Sequence, residues 1–256
     1  MSYIITLINV KGGVGKTTTV INLAGIMAKL KRKVLLLDND SQSNLSQILN
    51  IKSEYNMYDL YTNSKVDFND CIVKYNDYIY VINNTINSAI LENELHSKSN
   101  RETLLFRKYE MFKNENNIDY ILIDNSPFLG ITVQNSLAMS DYYIEIIDNS
   151  TSALQGLNMV DIVINELKEN GVNRNIKLLG ILRNRFKKRS LFNNQFDEVL
   201  KEELGDKLFD TIIYDSVRYK EAAALHKIIQ DYNKQYAKPY KSLYYEILSR
   251  ISESDK

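Results

Sequence analysis

The chain is poor in the residues that staple or break a fold. Its 256 residues include one cysteine, two prolines and nine glycines. A single cysteine excludes a disulfide framework, a multi-cysteine zinc site and a self-contained iron–sulfur site. With so few prolines and glycines, each one that falls in a motif is informative. An excess of charge of one sign is lacking too, since 32 Lys and Arg balance 32 Asp and Glu. No global field draws the protein to nucleic acid, and any such binding must come from a local basic patch. The apolar start, Tyr3-Ile4-Ile5-Thr6-Leu7-Ile8-Asn9-Val10, has no basic leader or small-residue cleavage site. It is also far short of the ~20 apolar residues that span a bilayer. These absences lead to the expectation of a cytoplasmic protein. What is present is globular: 44% hydrophobic and 25% charged residues, in a chain long enough to bury roughly three-quarters of its unfolded surface.

Short apolar runs punctuate the chain. The first ends at Lys11-Gly12-Gly13, and Val34-Leu35-Leu36-Leu37 stops at Asp38. Others lie at 120–123, 142–147 and 176–182. Helical spacing is visible from Lys16 to about Lys31, where Val20, Leu23, Ala24, Met27 and Ala28 recur on one side. Further helix-like stretches fall at 131–139, 152–169 and 192–204. Strands apolar on both faces and alternating with helices predict a single α/β domain over 1–256, a mainly parallel twisted sheet flanked by helices on both faces. Residues 50–115 are less regular, with one strand expected at 78–82 and a helix at 101–113. Leu243, Tyr244, Ile247, Leu248 and Ile251 predict a closing helix over 241–251.

Three of the nine glycines fall within four residues, in Lys11-Gly12-Gly13-Val14-Gly15-Lys16-Thr17-Thr18. The setting is strand, loop, helix, which is the context a phosphate loop requires. Glycines let consecutive backbone N–H groups turn toward phosphate oxygens, and the following helix adds its positive end. Lys16 then neutralises the β- and γ-phosphates while the Thr17 hydroxyl ligates Mg²⁺. The competing reading is a glycine-rich turn that binds nothing. A chance match to this string is on the order of 1 in 10⁵ per chain, which disfavours that reading.

The ordinary signature has a glycine six residues before its lysine, whereas this chain has Val10 there and adds Lys11. In this the sequence resembles the deviant Walker A ATPases of the ParA/MinD family, whose signature is Lys-Gly-Gly-x-Gly-Lys-Thr. The resemblance implies a P-loop fold, ATP and Mg²⁺ as cofactors, and a sandwich homodimer in which Lys11 reaches the partner's nucleotide. Asp38-Asn39-Asp40-Ser41-Gln42 resembles the family's Asp-x-Asp-Pro-Gln, making Asp40 the aspartate that orients the attacking water, close to the metal. Ser41 stands where proline is usual. Asp124, ending Tyr120-Ile121-Leu122-Ile123, resembles the Walker B aspartate that holds the Mg²⁺ shell. Asn184 matches an adenine-binding asparagine of MinD-like members, with a strand-end cap as the competing reading. Ser216-Val217-Arg218-Tyr219-Lys220-Glu221-Ala222 is similar to a stretch of the partition ATPases.

The resemblance leaves the cargo open. A partition ATPase needs a basic surface for non-specific DNA. The candidates are Arg185, Lys187, Lys188, Arg189, Arg218 and Lys220, with a solvated basic run as the alternative for 187–189. Such a protein is cytoplasmic and nucleoid-associated, and a ParB-like centromere-binding partner stimulates it. A MinD-like cell-division protein needs a basic amphipathic C-terminal helix, whereas this chain ends Ser252-Glu253-Ser254-Asp255-Lys256. A tyrosine kinase of the same P-loop group carries a tyrosine-rich tail, whereas the 18 tyrosines here are spread along the chain. Reductase-type relatives need paired cysteines, which Cys71 alone does not supply. The first strand opens the sequence, so no N-terminal operator-binding extension is expected.

Overall fold

A computed structural model describes residues 2–113, 117–187 and 191–255, with 191–193 described by their backbone alone. The strands are β1 (Tyr3–Ile8), β2 (Val34–Asn39), β3 (Ile72–Lys74), β4 (Ile79–Ile82), β5 (Tyr120–Asn125), β6 (Tyr142–Ile147), β7 (Lys177–Phe186) and β8 (Leu208–Tyr214). The first six helices are α1 (Lys16–Lys29), α2 (Asn44–Ile48), α3 (Met57–Thr62), α4 (Phe68–Cys71), α5 (Leu91–His96) and α6 (Leu104–Phe112). They are followed by α7 (Ile131–Met139), α8 (Ala153–Glu169), α9 (Leu191–Leu204), α10 (Val217–Ala224), α11 (Ile229–Tyr232) and α12 (Lys234–Ser254).

The strands form one sheet in the order β3-β4-β2-β5-β1-β6-β7-β8. Every described pairing is parallel except β3 with β4. Each strand feeds both faces because successive side chains alternate. Val34 and Leu36 enter the layer with α1, α2, α10, α11 and α12, while Leu35 and Leu37 enter the opposite layer with α3 to α7. Beyond β1, helices α7, α8 and α9 continue that second layer against Tyr143 and Ile147. The expected α/β sheet covered on both faces is therefore the observed architecture.

The structure extends the sequence reading in three places. β7 runs on to Phe186, because Arg183 is buried by an ion pair to Asp197 at 2.5 Å and a bond to the Phe209 carbonyl. β8 adds an edge strand whose exposed Asp210 and Tyr214 interrupt its apolar pattern. α12 begins at Lys234, before the expected 241, and holds Pro239 inside it. Pro239 is the sixth helical residue, so its missing N–H costs the single backbone bond to the Gln235 carbonyl while the helix continues beyond it. Tyr240 and Tyr244 are buried against α1 and the sheet, and Tyr245 is half exposed. Asp255 accepts hydrogen bonds from the hydroxyls of Tyr3 and Tyr142, pinning the end of α12 to the body.

Residues 50–113 are built into the core through Leu60, Phe68, Leu95 and Leu105. They also cap α7. Glu92 accepts from the backbone N–H of Ile131 at 2.7 Å and of Thr132 at 3.2 Å. A carboxylate on these first N–H groups meets the positive end of the helix dipole. Cys71 is buried among apolar side chains, and burial pushes its thiol up to about 12, which makes it inert.

Packing around Gly180 of β7 is tight. A Cβ there would lie 2.5 Å from Nη1 of Arg250 and 2.7 Å from the ring of Phe209, over which Arg250 stacks at 4.4 Å. Overpacking of this kind costs about 1–3 kcal/mol. Gly180→Ala is therefore expected to lower Tm by at least about 2 °C in thermal unfolding, and an unchanged Tm would refute this packing.

Candidate nucleotide site

β1 ends in the centre of the sheet, and residues 9–15 turn from it into α1. Gly13 and Gly15 have φ of 78° and 97°, the left-handed region that side chains resist. Gly15 is needed twice, since a Cβ there would also fall 2.3 Å from Nδ2 of Asn184. α1 starts without a side-chain cap and without an acid in its first turn, which leaves its first N–H groups for an anion. Asn9 braces the turn, donating to the Ile146 carbonyl at 2.7 Å and accepting from the Lys11 N–H at 2.6 Å.

Lys16 lies inside this turn, only 6% exposed, and its Nζ donates to the carbonyls of Asn9 and Lys11 at 3.2 and 3.4 Å. Burial draws its pKa below the usual lysine range, against the opposing pull of Asp124 and Asp40. Val14 is buried in the core, and Gly12, Thr17 and Thr18 line the cavity in front of the loop. That cavity is about 390 Å³ and is walled on its far side by Asn184, Arg185 and Tyr219. Its size suits a small organic ligand.

Two carboxylates meet beneath the loop. Parallel pairing of β2 with β5 sets Asp38 directly beside Asp124. Both are fully buried. Burial pushes Asp124 up to about 8, helped by Asp38 and opposed by Thr17 and Lys16. Burial also pushes Asp38 up to about 7, although Ser46 donates to it from N–H at 2.9 Å and from Oγ at 2.5 Å. Neither oxygen of Asp124 has a hydrogen-bond partner, nor does Oδ1 of Asp38. Asp40 sits just outside, lining the cavity, with Oδ1 accepting from the Gln42 N–H at 3.0 Å. The sequence reading gave Asp38 no role of its own. Its signal was the two-residue spacing to Asp40, which puts both on the same side of an extended chain.

The other candidates sit in varied surroundings. Lys11 is held away from the cavity by an ion pair to Asp148 at 2.6 Å, just past the end of β6. Asn184 faces the loop and lines the cavity. Its amide donates to the Val14 carbonyl at 2.9 Å and its oxygen accepts from the Arg185 N–H at 2.9 Å. It thus buttresses the phosphate loop, and a bond to a base would replace one of these contacts. Arg185, with φ of 59°, leans on the Gly13 carbonyl and on Asp215 at 3.6 Å. Lys220 also lines the cavity, whereas Arg218, two residues away on α10, turns to Glu221 at 2.7 Å. Lys187 is exposed. Lys188 and Arg189 lie outside the described residues.

Comparison with known proteins bears on this geometry. A family described as AAA domain matches residues 2–178. The sporulation initiation inhibitor protein Soj of Bacillus subtilis is 34% identical over 253 residues, covering 96% of this chain and 98% of the relative. The chromosome-partitioning ATPase Soj of Thermus thermophilus is 31% identical over 254 residues, covering 98% and 97%. Among solved structures, a plasmid partition protein from Borrelia burgdorferi, described as bound to AMPPNP, superposes with a TM-score of 0.83. It shares 24% identity and covers 99% of both chains. The loop of residues 11–18, the buried Asp38 and Asp124 and these full-length matches agree, and the chain belongs to the ParA/Soj family of partition ATPases.

Proposed function

We propose that this protein is an ATP-switched homodimer that holds DNA without regard to sequence, releases it on hydrolysis, and is stimulated by a ParB-like centromere-binding partner. The reading rests above all on one observation: the 11–18 loop closes over three buried ionisable groups, Lys16, Asp38 and Asp124. The partitioning role in the names of its relatives supports the same reading.

The residues present fit ATP and Mg²⁺. Three buried carboxylate oxygens without hydrogen bonds suit a nearby dication, which is drawn to hard oxygen donors. Among the described residues no cluster of three or more His, Cys, Asp or Glu is placed to hold a metal alone. That agrees with an ion held by one or two side chains, phosphates and water. When bound, Mg²⁺ and ATP supply neutralised phosphate charge and a cleavable phosphoanhydride. Lys16 is already fixed at the mouth of the loop by two carbonyls, so little reorganisation separates it from a phosphate. Thr17 presents its hydroxyl beside Asp124. Asp40, at the cavity edge, is positioned to orient a water molecule. Lys11 would exchange Asp148 for a phosphate of the partner subunit's nucleotide, an exchange of one anion for another.

No helix among the described residues is long and apolar enough to cross a membrane. Binding to DNA through phosphates makes the protein nucleoid-associated in this proposal.

In sedimentation, Lys16→Ala should abolish ATP-dependent dimers, and Asp40→Ala should keep dimers but lose turnover at least about tenfold. If neither variant changes dimerisation or turnover, the switch is wrong. In filter binding at about 50 mM salt, ATP with Mg²⁺ should strengthen DNA binding over ADP or no nucleotide, and the gain should vanish near 200 mM. Arg218→Glu should remove that gain while leaving ATP affinity intact. Equal DNA affinity in all three states would sink the partition reading.

Acidity gives a separate check on the buried carboxylates. Their folded pKa values of about 8 and about 7 exceed the 3.8 of the unfolded chain. The nucleotide-free fold therefore holds protons that the unfolded chain gives up, and it loses stability as pH rises from about 4 to about 8. Asp124→Asn should raise the nucleotide-free Tm by roughly 2–4 °C or more near pH 8, with the difference shrinking toward pH 4. The same variant should lose the stabilisation that Mg²⁺ with ATP gives the wild type. A nucleotide-free variant that melts below the wild type near pH 8 would contradict the assignment.

A further inference from the structure

Asp38 follows Leu36 on the α1 side of β2, and Asp124 follows Leu122 on the same side of β5. Alternation turns Asn39 and Asn125 the other way, toward α3 and α7. Both are buried, and they meet. The Asn39 nitrogen donates to Oδ1 of Asn125 at 2.8 Å and to the Thr132 carbonyl of α7 at 2.9 Å. Its oxygen accepts from the hydroxyl of Tyr61, on α3, at 3.1 Å. The Asn125 nitrogen in turn donates to the Leu7 carbonyl of β1 at 3.2 Å. Only one orientation of the two amides makes all these bonds, since turning Asn39 over would set oxygen against oxygen.

This chain of bonds sits where the backbone ladder ends. Asn39 opposite Asn125 is the last pairing of β2 with β5, and Leu7 opposite Asp124 is the last of β1 with β5. Element ends are the places that open most readily. At that point the two amides carry hydrogen bonding across three strands, on the reverse face from the carboxylates. Filling the space does not require them, because an apolar pair of similar shape leaves no polar groups to satisfy.

We propose that Asn39, Asn125 and Tyr61 are positioning residues for ATP hydrolysis, a clamp that sets the spacing of Asp40, Asp124 and the phosphate loop from behind the sheet. The clamp deepens the reading above and rests on the roles given there to Asp40 and Asp124. It also gives the 50–113 segment a task, since that segment supplies Tyr61 and, through Glu92, caps the turn of α7 that holds Thr132. Spacing matters because a misplacement of about 1 Å can cost a hundredfold in rate. Nucleotide is gripped by Lys16 and the N–H groups of the loop, which the clamp does not touch. Its loss should therefore be felt in turnover rather than in nucleotide affinity.

The test compares the full chain with Tyr61→Phe, Asn39→Leu, and Asn39→Leu combined with Asn125→Leu, each assayed well below its Tm. Asn39→Leu should lower kcat about tenfold or more, with KM for ATP within about twofold of wild type. Tyr61→Phe keeps the ring and loses one bond, so kcat should fall about threefold. The double variant removes both amides, so it should recover Tm relative to Asn39→Leu and yet keep the lowered kcat. Hydrogen exchange without nucleotide supplies a second readout. Amides of residues 37–40 and 123–126 should exchange at least about tenfold faster in both leucine proteins, while those of β7 stay unchanged. A kcat that returns with Tm in the double variant overturns the clamp, leaving a purely structural role. A KM raised as much as kcat falls, or unchanged exchange at the strand ends, overturns it as well. Asp40→Ala and Asp124→Asn run alongside. Leucine variants at wild-type kcat beside impaired aspartate variants sink the clamp alone, whereas aspartate variants at wild-type kcat remove the site reading and the clamp together.

Discussion

Lys16, Asp38 and Asp124 are buried side by side where the central strands end, and the rest of the molecule accommodates that arrangement. Charges are not buried cheaply, and a carboxyl left without a charged or hydrogen-bonded partner keeps its proton instead. Sheet order creates the problem, because placing β5 between β1 and β2 brings Asp124 beside both the phosphate loop and Asp38. Asn184, Asn9 and Ser46 spend their hydrogen bonds on holding loop and carboxylate in place. The site is preorganised at the expense of its unliganded stability, a common bargain where charge must later be met by charge.

Much of this was legible in the sequence because the central strands are apolar on both faces. Val34-Leu35-Leu36-Leu37 and Tyr120-Ile121-Leu122-Ile123 could only belong to a covered sheet. The glycine spacing of the loop was equally plain, since Gly13 and Gly15 occupy backbone angles that other residues avoid. Edge elements were harder to read. β8 mixes Asp210 and Thr211 into its apolar run, and its place beside β7 is fixed partly by Glu246 of α12, which accepts from both backbone N–H groups. The early start of α12 was hidden by Pro239, whose usual meaning is a break.

What escaped entirely were contacts between distant residues. The Asn184 amide meets the Val14 carbonyl 170 positions away, and no local pattern announces it. The ion pair of Lys11 with Asp148 is of the same kind, as is the capping of α7 by Glu92. Residues 50–115 read as irregular because their short helices answer to the surfaces they cover rather than to their own periodicity. Residue types thus announced the chemistry at each strand end. The partner that steadies each group emerged only from the topology.

That topology also constrains how the chain comes into being. β1 precedes its sheet partners β5 and β6 by more than a hundred residues, so Tyr3 waits for Tyr120 and Ile5 for Tyr142. At ribosomal speeds of about 5–20 residues per second, this strand spends roughly 6–23 s without its neighbours. Contacts so far apart in sequence also carry a loop-closure cost that slows folding. During that interval an apolar, β-branched segment stands beside a glycine-rich loop that has nothing yet to hold. The central strand of the finished sheet is therefore its most exposed segment during synthesis, unpaired until β5 and β6 arrive to close around it.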